Sequence, residues 1–409
     1  MKYVILQGDG MADYPLESLS GKTPLEVART PNMDRLAASG LFGLAYTIPE
    51  GFPPGSDVGN MSILGYDPAR YHTGRAPLEA ASVGIPLGPD DICFRCNLVT
   101  LGQKGAAAFM EDFTAGHISS DEGAEIIRDL QSALGGDGGI EFYPGVSYRN
   151  LMVWRGGKEE MQTTPPHDIT DRETAGYMPE GAGADVLLNL TRRSQELLAT
   201  HPVNRKRERA AKRKATSIWL WGQGKAPALP SLNERFGITG SVISAVDIIN
   251  GLGVYAGLER ISVPGATGYF DTNYKGKGEY GLGALKEKDL VFIHVEAPDE
   301  AGHMGSVEEK VKAIENFDEK VVGTVLAGLN GRNDWRLLLL PDHPTPCALK
   351  THVADPVPFV LYGADRPGAS NDFGFNESDA KRSGVVVKKA FKLIESLIGG
   401  TPPWIETSP

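Results

Sequence analysis

The chain has 409 residues, of which 41% are hydrophobic and 23% charged, and its formal net charge is −11. That length exceeds what one core commonly fills, so two domains are expected. The acidic balance argues against general affinity for nucleic acid or anionic membrane, and no apolar run approaches a membrane span.

The opening MKYVILQGDG reads as a buried strand broken by glycine, too short for a signal peptide, and its end delivers Asp9 to a carboxyl edge. TPNMDRLAASGL reads as a short helix closed by Gly40. In PPGSDVGNMS, Pro53 and Pro54 forbid a central strand and Gly55 permits a tight turn. The residues after Ser56 can start a helix, with its first N–H groups aimed at whatever Ser56 touches. Helix capping is the ordinary use of such a serine, and chemistry is the alternative.

Three cysteines form no disulfide framework, which fits a reducing cytoplasm. Cys93 and Cys96 make a C-x-x-C in DICFRCNLVTL. A zinc ribbon needs four ligands, and residues three apart on a strand face opposite sides, so a structural role is expected for this pair.

From about residue 88 the pattern changes. CFRCNLVTL, AAAFMED, the helical SDEGAEIIRDLQSAL, IEFYPGVSYRNLMVWRGG and the helical ADVLLNLTRRSQELLATH make a mixture of the α+β type. We read 88–213 as a domain inserted between two halves, 1–87 and 214–409, of a catalytic core. The basic run 205–214 reads as a solvated helix face or linker, with the alternative that an arginine there holds an anion. The chain then returns with ATSIWLWGQGKAP and a helical SVISAVDIINGLGVYAGL.

DLVFIHVEAPD, WRLLLLPDH and VPFVLYG resemble the first strand. Between the first two lies a helix with Val311, Ile314, Phe317, Val321 and Val325 at helical spacing. Strand, helix, strand in this order specifies an α/β fold, a mostly parallel sheet with helices on both faces.

The loops after these strands carry acids and imidazoles: Asp9, then Asp299 and His303 one helical turn apart, then Asp342 and His343, then His352. Asp and His suit borderline-hard divalent ions, and strand carboxyl ends are where open α/β sheets keep their sites. An unassisted serine hydroxyl is a poor nucleophile, and there is no G-x-S-x-G elbow, so activation of Ser56 by metal is the better fit.

DG after the first strand, GSDVGN, VEAPDEAGH, PDHPTP and THVADPVPF resemble the alkaline phosphatase superfamily, and within it the archaeal-type cofactor-independent phosphoglycerate mutases. GRAPLEAASVGI, FRCNLVTL, FYPGVSYRN, TPPHDITDR, HPVNRKR, WLWGQGKAP and VPGATGYFDTNY extend the resemblance nearly end to end. The resemblance implies an alkaline-phosphatase-like core with an inserted cap, and two divalent ions (Mn, Co, Mg or Zn). Asp299, His303 and His352 would hold one ion; Asp9, Asp342, His343 and Ser56 would hold the other. Ser56 would form a phosphoserine intermediate, interconverting 3- and 2-phosphoglycerate without bisphosphoglycerate. In the cap, His167, Asp168 and Asp171 would contact the glycerate or shuttle its proton, with Arg149, Arg205 and Lys225 as candidate cations. The chain departs from the wider family in having Asn60 where Gly-His often follows the serine. A homoserine-kinase-like phosphotransferase or a metal-dependent phosphatase of small metabolites on the same site is the alternative. GQGKAP lacks the Ser/Thr of a phosphate-binding loop. Neither the oligomeric state nor the physiological metal is legible in the sequence.

Overall fold

The computed structural model describes residues 1–105, 107–363 and 371–400. The chain forms two compact units, one of residues 1–72 with 228–409 and one of residues 73–227.

The first unit is built on an eight-stranded sheet. In spatial order its strands are Glu259–Arg260, Gly240–Ile243, Leu290–Val295, Lys2–Gly8, Trp335–Leu340, Val357–Gly363, Leu41–Ala45 and Val386–Val387. The central strands are mostly apolar and buried, with only Lys2 and Arg336 partly exposed, as a sheet covered on both faces requires. Val4, Leu6, Val291, Ile293, Leu337 and Leu339 share one core with Ile314, Phe317, Val321 and Val325 of the covering helix. That helix runs as Val307–Asn316, a π-helical turn over Phe317–Val322, and Gly323–Leu329. In its first segment Lys310 is fully buried along with Ile314, beside a half-buried Val311.

Two expectations about local structure are corrected here. Val357–Gly363 is antiparallel to both neighbours, whereas it had read as another parallel strand. Its connection from Leu340 contains Pro341, Pro344, Pro346 and Pro356 and forms no crossover helix, so the chain turns back at the edge where it emerged. SVISAVDIINGLGVYAGL is not all helix: Gly240–Ile243 is a strand and Asp247–Tyr255 the helix. β-branched Val242 and Ile243 pair in register with Phe292 and Ile293, and that sheet position overrides the helical pattern.

The second unit has a five-stranded antiparallel sheet centred on the long strand Ile92–Lys104. Arg149–Trp154 pairs along one edge, Ser217–Gly224 along the other, and Ala107–Asp112 continues at its far end. The helices Ser120–Leu134 and Ala184–Ala199 supply Ile126, Ile127, Leu130, Leu187 and Leu190 to its core. Cys93 and Cys96 are buried in separate clusters on the two faces of the strand, and burial holds both thiols well above their ordinary pKa. The unit is wider than the 88–213 read from the sequence. Ser217–Gly224 belongs to its sheet, pairing Trp219 with Asn97 and Ile218 with Leu98. The helix Ala76–Ser82 places Ala76 and Ala80 in a cluster with Cys93 and Val153.

Candidate active site

The carboxyl edge of the large sheet gathers the acids and imidazoles of four separate segments. Asp9 follows the first strand, Asp342 and His343 follow Trp335–Leu340, and Asp299 and His303 lie on the helix Ala297–Met304. His352 precedes the antiparallel strand, whose amino end shares an edge with the carboxyl ends of its neighbours. The chain reversal thus brings His352 in.

Two ligand groups result, each with donor atoms within 4.8 Å of one another: Asp299, His343 and His352, and Asp9, Asp342 and His343. His303 joins the first, its Nε2 lying 3.2 Å from Asp299 Oδ2 and 2.8 Å from His352 Nε2. Ser56 joins the second, its Oγ 3.1 Å from His343 Nε2. Ser56 is the first residue of the helix Ser56–Ile63, Gly55 takes the N-cap position, and no side-chain cap bond forms. The hydroxyl is therefore not spent on capping and points at the imidazole of the second group.

Neighbours fix the orientation of these side chains. Asn60 Nδ2 donates to Ser56 O (2.9 Å) and to Asp342 Oδ2 (3.1 Å), which gives a structural reason for asparagine at that position. Thr345 Oγ donates to Asp299 Oδ1 (2.5 Å) and accepts from His343 Nδ1 (3.2 Å). That relay puts the His343 proton on Nδ1 and turns the Nε2 lone pair toward Ser56. His303 Nδ1 likewise donates to Lys350 O (3.1 Å), leaving its Nε2 for the cluster. Gly10 has φ +60°, and a Cβ there would lie 2.5 Å from both Asp299 Oδ1 and Thr345 Oγ1, so no larger residue fits beside Asp9.

The electrostatics call for cations. Burial, then the charges of Asp342, Glu296 and Asp299, push the Asp9 carboxyl well above its usual range. Burial and the Asp299 charge raise Glu296 to about 8. Burial opposes ionisation of Asp299, yet hydrogen bonds from His303 and His352 draw it well below the ordinary value. The same Asp299 bond raises His303 to about 9. Asp9 Oδ1 is buried and has no hydrogen-bond partner. Crowded carboxylates, an orphaned acceptor and two imidazole nitrogens at 2.8 Å fit divalent ions well.

One pH prediction follows. Below about 9 the His303 ring carries a proton in the ion-free chain, and that ion pair stabilises the fold fully below the unfolded pKa of about 6.5. The contribution is lost as pH rises through about 9. An ion needs the same lone pair, so loading Mn²⁺ at pH 7.5 is expected to expel at least one proton per chain. Calorimetry in buffers of different ionisation enthalpy measures this; heat independent of buffer would refute it.

In the second unit, His167 lies on the short turn Pro166–Ile169 with its ring edge-on to Trp221 (5.3 Å) and Phe113 (6.0 Å). Partial burial lowers its pKa, with Arg95 and Arg75 as the nearby positive charges. Asp168 is exposed, its Oδ1 3.6 Å from His167 Nε2. Asp171 holds a left-handed turn at φ +63°. Arg149 lies over Tyr148, which packs edge-on against Phe113 and so borders the His167 group. Lys225 faces Asp90 at 3.8 Å, and Arg205 is exposed on the helix Pro202–Arg209. In the basic run it is Arg207 that is buried, bonded to Glu122 and to the Ala115 and Arg213 carbonyls.

The sequence reading missed Thr345, Arg95 and a third group behind Asp9. His294 Nε2 lies 2.8 Å from Asp9 Oδ2 and 3.5 Å from Glu296 Oε2. His294 lies at the end of the strand Leu290–Val295 and Glu296 directly follows that strand, and an imidazole and a carboxylate two apart there were a usable signal. Inside LVFIHV the histidine passed for core.

The architecture is an α/β fold on a mostly parallel sheet, with an acid, imidazole and serine cluster at its carboxyl edge. A family model described as 2,3-bisphosphoglycerate-independent phosphoglycerate mutase matches residues 37–204. The enzyme of that name from Methanothrix thermoacetophila is 52% identical over 401 residues, covering 98% of this chain and 100% of the relative. That from Methanosarcina acetivorans is 51% identical over 402 residues, covering 97% and 100%. A solved protein structure from Pyrococcus horikoshii superposes with a TM-score of 0.82 at 27% identity, covering 98% of each chain. The cofactor-independent phosphoglycerate mutase of Thermoplasma acidophilum gives 0.65 at 23% identity, covering 98% and 99%. The chain belongs to the 2,3-bisphosphoglycerate-independent phosphoglycerate mutase family, and its activity is that of an isomerase.

Proposed function

We propose that the chain interconverts 3-phosphoglycerate and 2-phosphoglycerate through a phosphoserine at Ser56. The observation that carries this is the Ser56 hydroxyl, uncommitted to capping and 3.1 Å from an imidazole whose proton is held on the far nitrogen. Two divalent ions, Mn, Co, Mg or Zn, would be held by Asp299, His303 and His352 and by Asp9, Asp342, His343 and Ser56. When bound, such ions lower a hydroxyl pKa and neutralise phosphoryl oxygens.

Ser56 Oγ attacks phosphorus; the bond to the glycerate oxygen breaks and that oxygen takes up a proton. The other glycerate hydroxyl then gives up a proton and takes the phosphoryl back, freeing Ser56. The amides opening the helix Ser56–Ile63 favour the anion during both steps. We assign the glycerate end and its proton to His167 and Asp168, with Asp171 and Arg149 beside them and Arg205 and Lys225 as further candidate cations. Partial burial lowers the His167 pKa, which favours the neutral ring that a proton acceptor needs. Bisphosphoglycerate has no part in this scheme. Among the described residues no helix is long and apolar enough to cross a membrane, and we place the enzyme in the cytoplasm.

The test is an enolase-coupled assay on 3-phosphoglycerate, run beside homoserine with ATP and a generic phosphate ester. Turnover of 3-phosphoglycerate alone is expected. Faster phosphorylation of homoserine, or ester hydrolysis without mutase turnover, would overturn the assignment.

A further inference from the structure

The group formed by Asp9, His294 and Glu296 has the geometry of a third ion site, its donor atoms lying within 4.8 Å of one another. Its surroundings argue otherwise. His294 is fully buried, and its Nδ1 lies 3.0 Å from Ser244 Oγ, which already accepts the Val246 N–H at 2.9 Å. With that hydroxyl donating to Nδ1, the His294 proton sits on Nε2 and is given to Asp9 Oδ2 at 2.8 Å. An ion could use that nitrogen only by displacing its proton, as cations do at histidine ligands, so the tautomer alone does not close the site.

Behind it stands Lys277, on the helix Tyr274–Ala284, with no exposed surface. Its ammonium donates to the His294 carbonyl at 2.9 Å. Burial lowers its pKa to about 8 and Glu296 is the charge opposing that fall, so it stays protonated at neutral pH.

We infer that Lys277 serves as a fixed cation in place of a third metal ion, so that Asp9, His294 and Glu296 form a positioning group behind the metal centre. The inference rests on the two-ion reading above. His294 holds Asp9 Oδ2, which leaves the unpartnered Oδ1, 3.7 Å from His343 Nε2, as the atom presented to an ion. Lys277 sets a positive charge behind the group, 2.9 Å from the His294 carbonyl, without offering a coordination position. A dication added beside the ammonium would meet like-charge repulsion in a low-dielectric interior.

Equilibrium dialysis of the full chain against Mn²⁺, with emission spectroscopy of the bound metal, tests this. Wild type is expected to saturate at two ions per chain. Lys277→Met, which keeps the length and removes the charge, is expected to take up a third. Lys277→Met with Glu296→Gln is expected to return to two. Three ions on wild type, or no gain in Lys277→Met, would overturn the inference while the two-ion reading stands. Fewer than two on wild type would instead sink that reading. If Lys277→Met fails to fold, Glu296→Gln alone decides: two ions retained supports the inference, and an ion lost overturns it.

Discussion

Ser56→Ala is expected to lower mutase turnover by about 10⁴-fold or more, the scale seen when a covalent nucleophile is deleted. The substitution removes one atom, and that atom caps nothing: Gly55 holds the N-cap position and the Ser56 side chain makes no cap bond. Its polar contact is with His343 Nε2 at 3.1 Å. The fold should therefore lose no more than about 0.5 kcal/mol, the range of substitutions away from the core and caps. The ligand set would still hold Asp9, Asp342 and His343, so ion binding weakens without being abolished. Rapid quench followed by peptide mass mapping should find phosphate on the peptide containing residue 56 in wild type and none in the variant. Turnover within tenfold of wild type, or a phosphopeptide elsewhere in the chain, would remove Ser56 from the mechanism.

What could be read from the sequence was chemistry placed at chain landmarks. Asp9, Asp342 and His343 stand directly after apolar runs, and Asp299 and His303 sit one helical turn apart, so strand ends and helix periodicity alone suggested that they meet. What could not be read depends on burial. Lys277 sits in YKGKGEY, where Lys275 and Glu279 form an exposed pair one turn apart, and nothing local separates the buried lysine from the solvated one. Thr345 looks like a loop residue between two prolines until the fold brings Asp299 to its hydroxyl. The boundary of the second unit was missed for a related reason. SIWLWGQG is as apolar as a core strand of either unit, and only its pairing with Ile92–Lys104 decides where it belongs. The antiparallel strand was misread because its direction depends on the proline-rich connection before it, not on its own residues.

Lys310→Met is expected to cost about 3–5 kcal/mol of stability, the penalty for leaving a buried charge without its partner. Lys310 has no exposed surface, and its ammonium donates to Asp13 Oδ2 (2.8 Å), Ala12 O (3.1 Å) and Thr345 O (2.8 Å). The Cys347 N–H also donates to Asp13 Oδ2, at 3.0 Å. One amine thus joins the loop after Asp9, the helix Val307–Asn316 and the loop after His343. Methionine fills the same volume but leaves the Asp13 carboxylate without its cation and the Thr345 carbonyl unmet, while the Ala12 carbonyl keeps the Thr345 N–H. The loss should reach the site, because Ala12 and Thr345 carry the backbone on either side of the cluster and Thr345 orients His343. Urea unfolding should show a lower midpoint, and ion affinity should fall with it. Adding Asp13→Asn to Lys310→Met removes the stranded charge and should recover part of the loss, a coupling that a merely steric defect would not produce. A single-variant loss below about 1 kcal/mol would mean that the Lys310–Asp13 pair does not hold the two metal-bearing loops together, and their joint would have to be sought elsewhere.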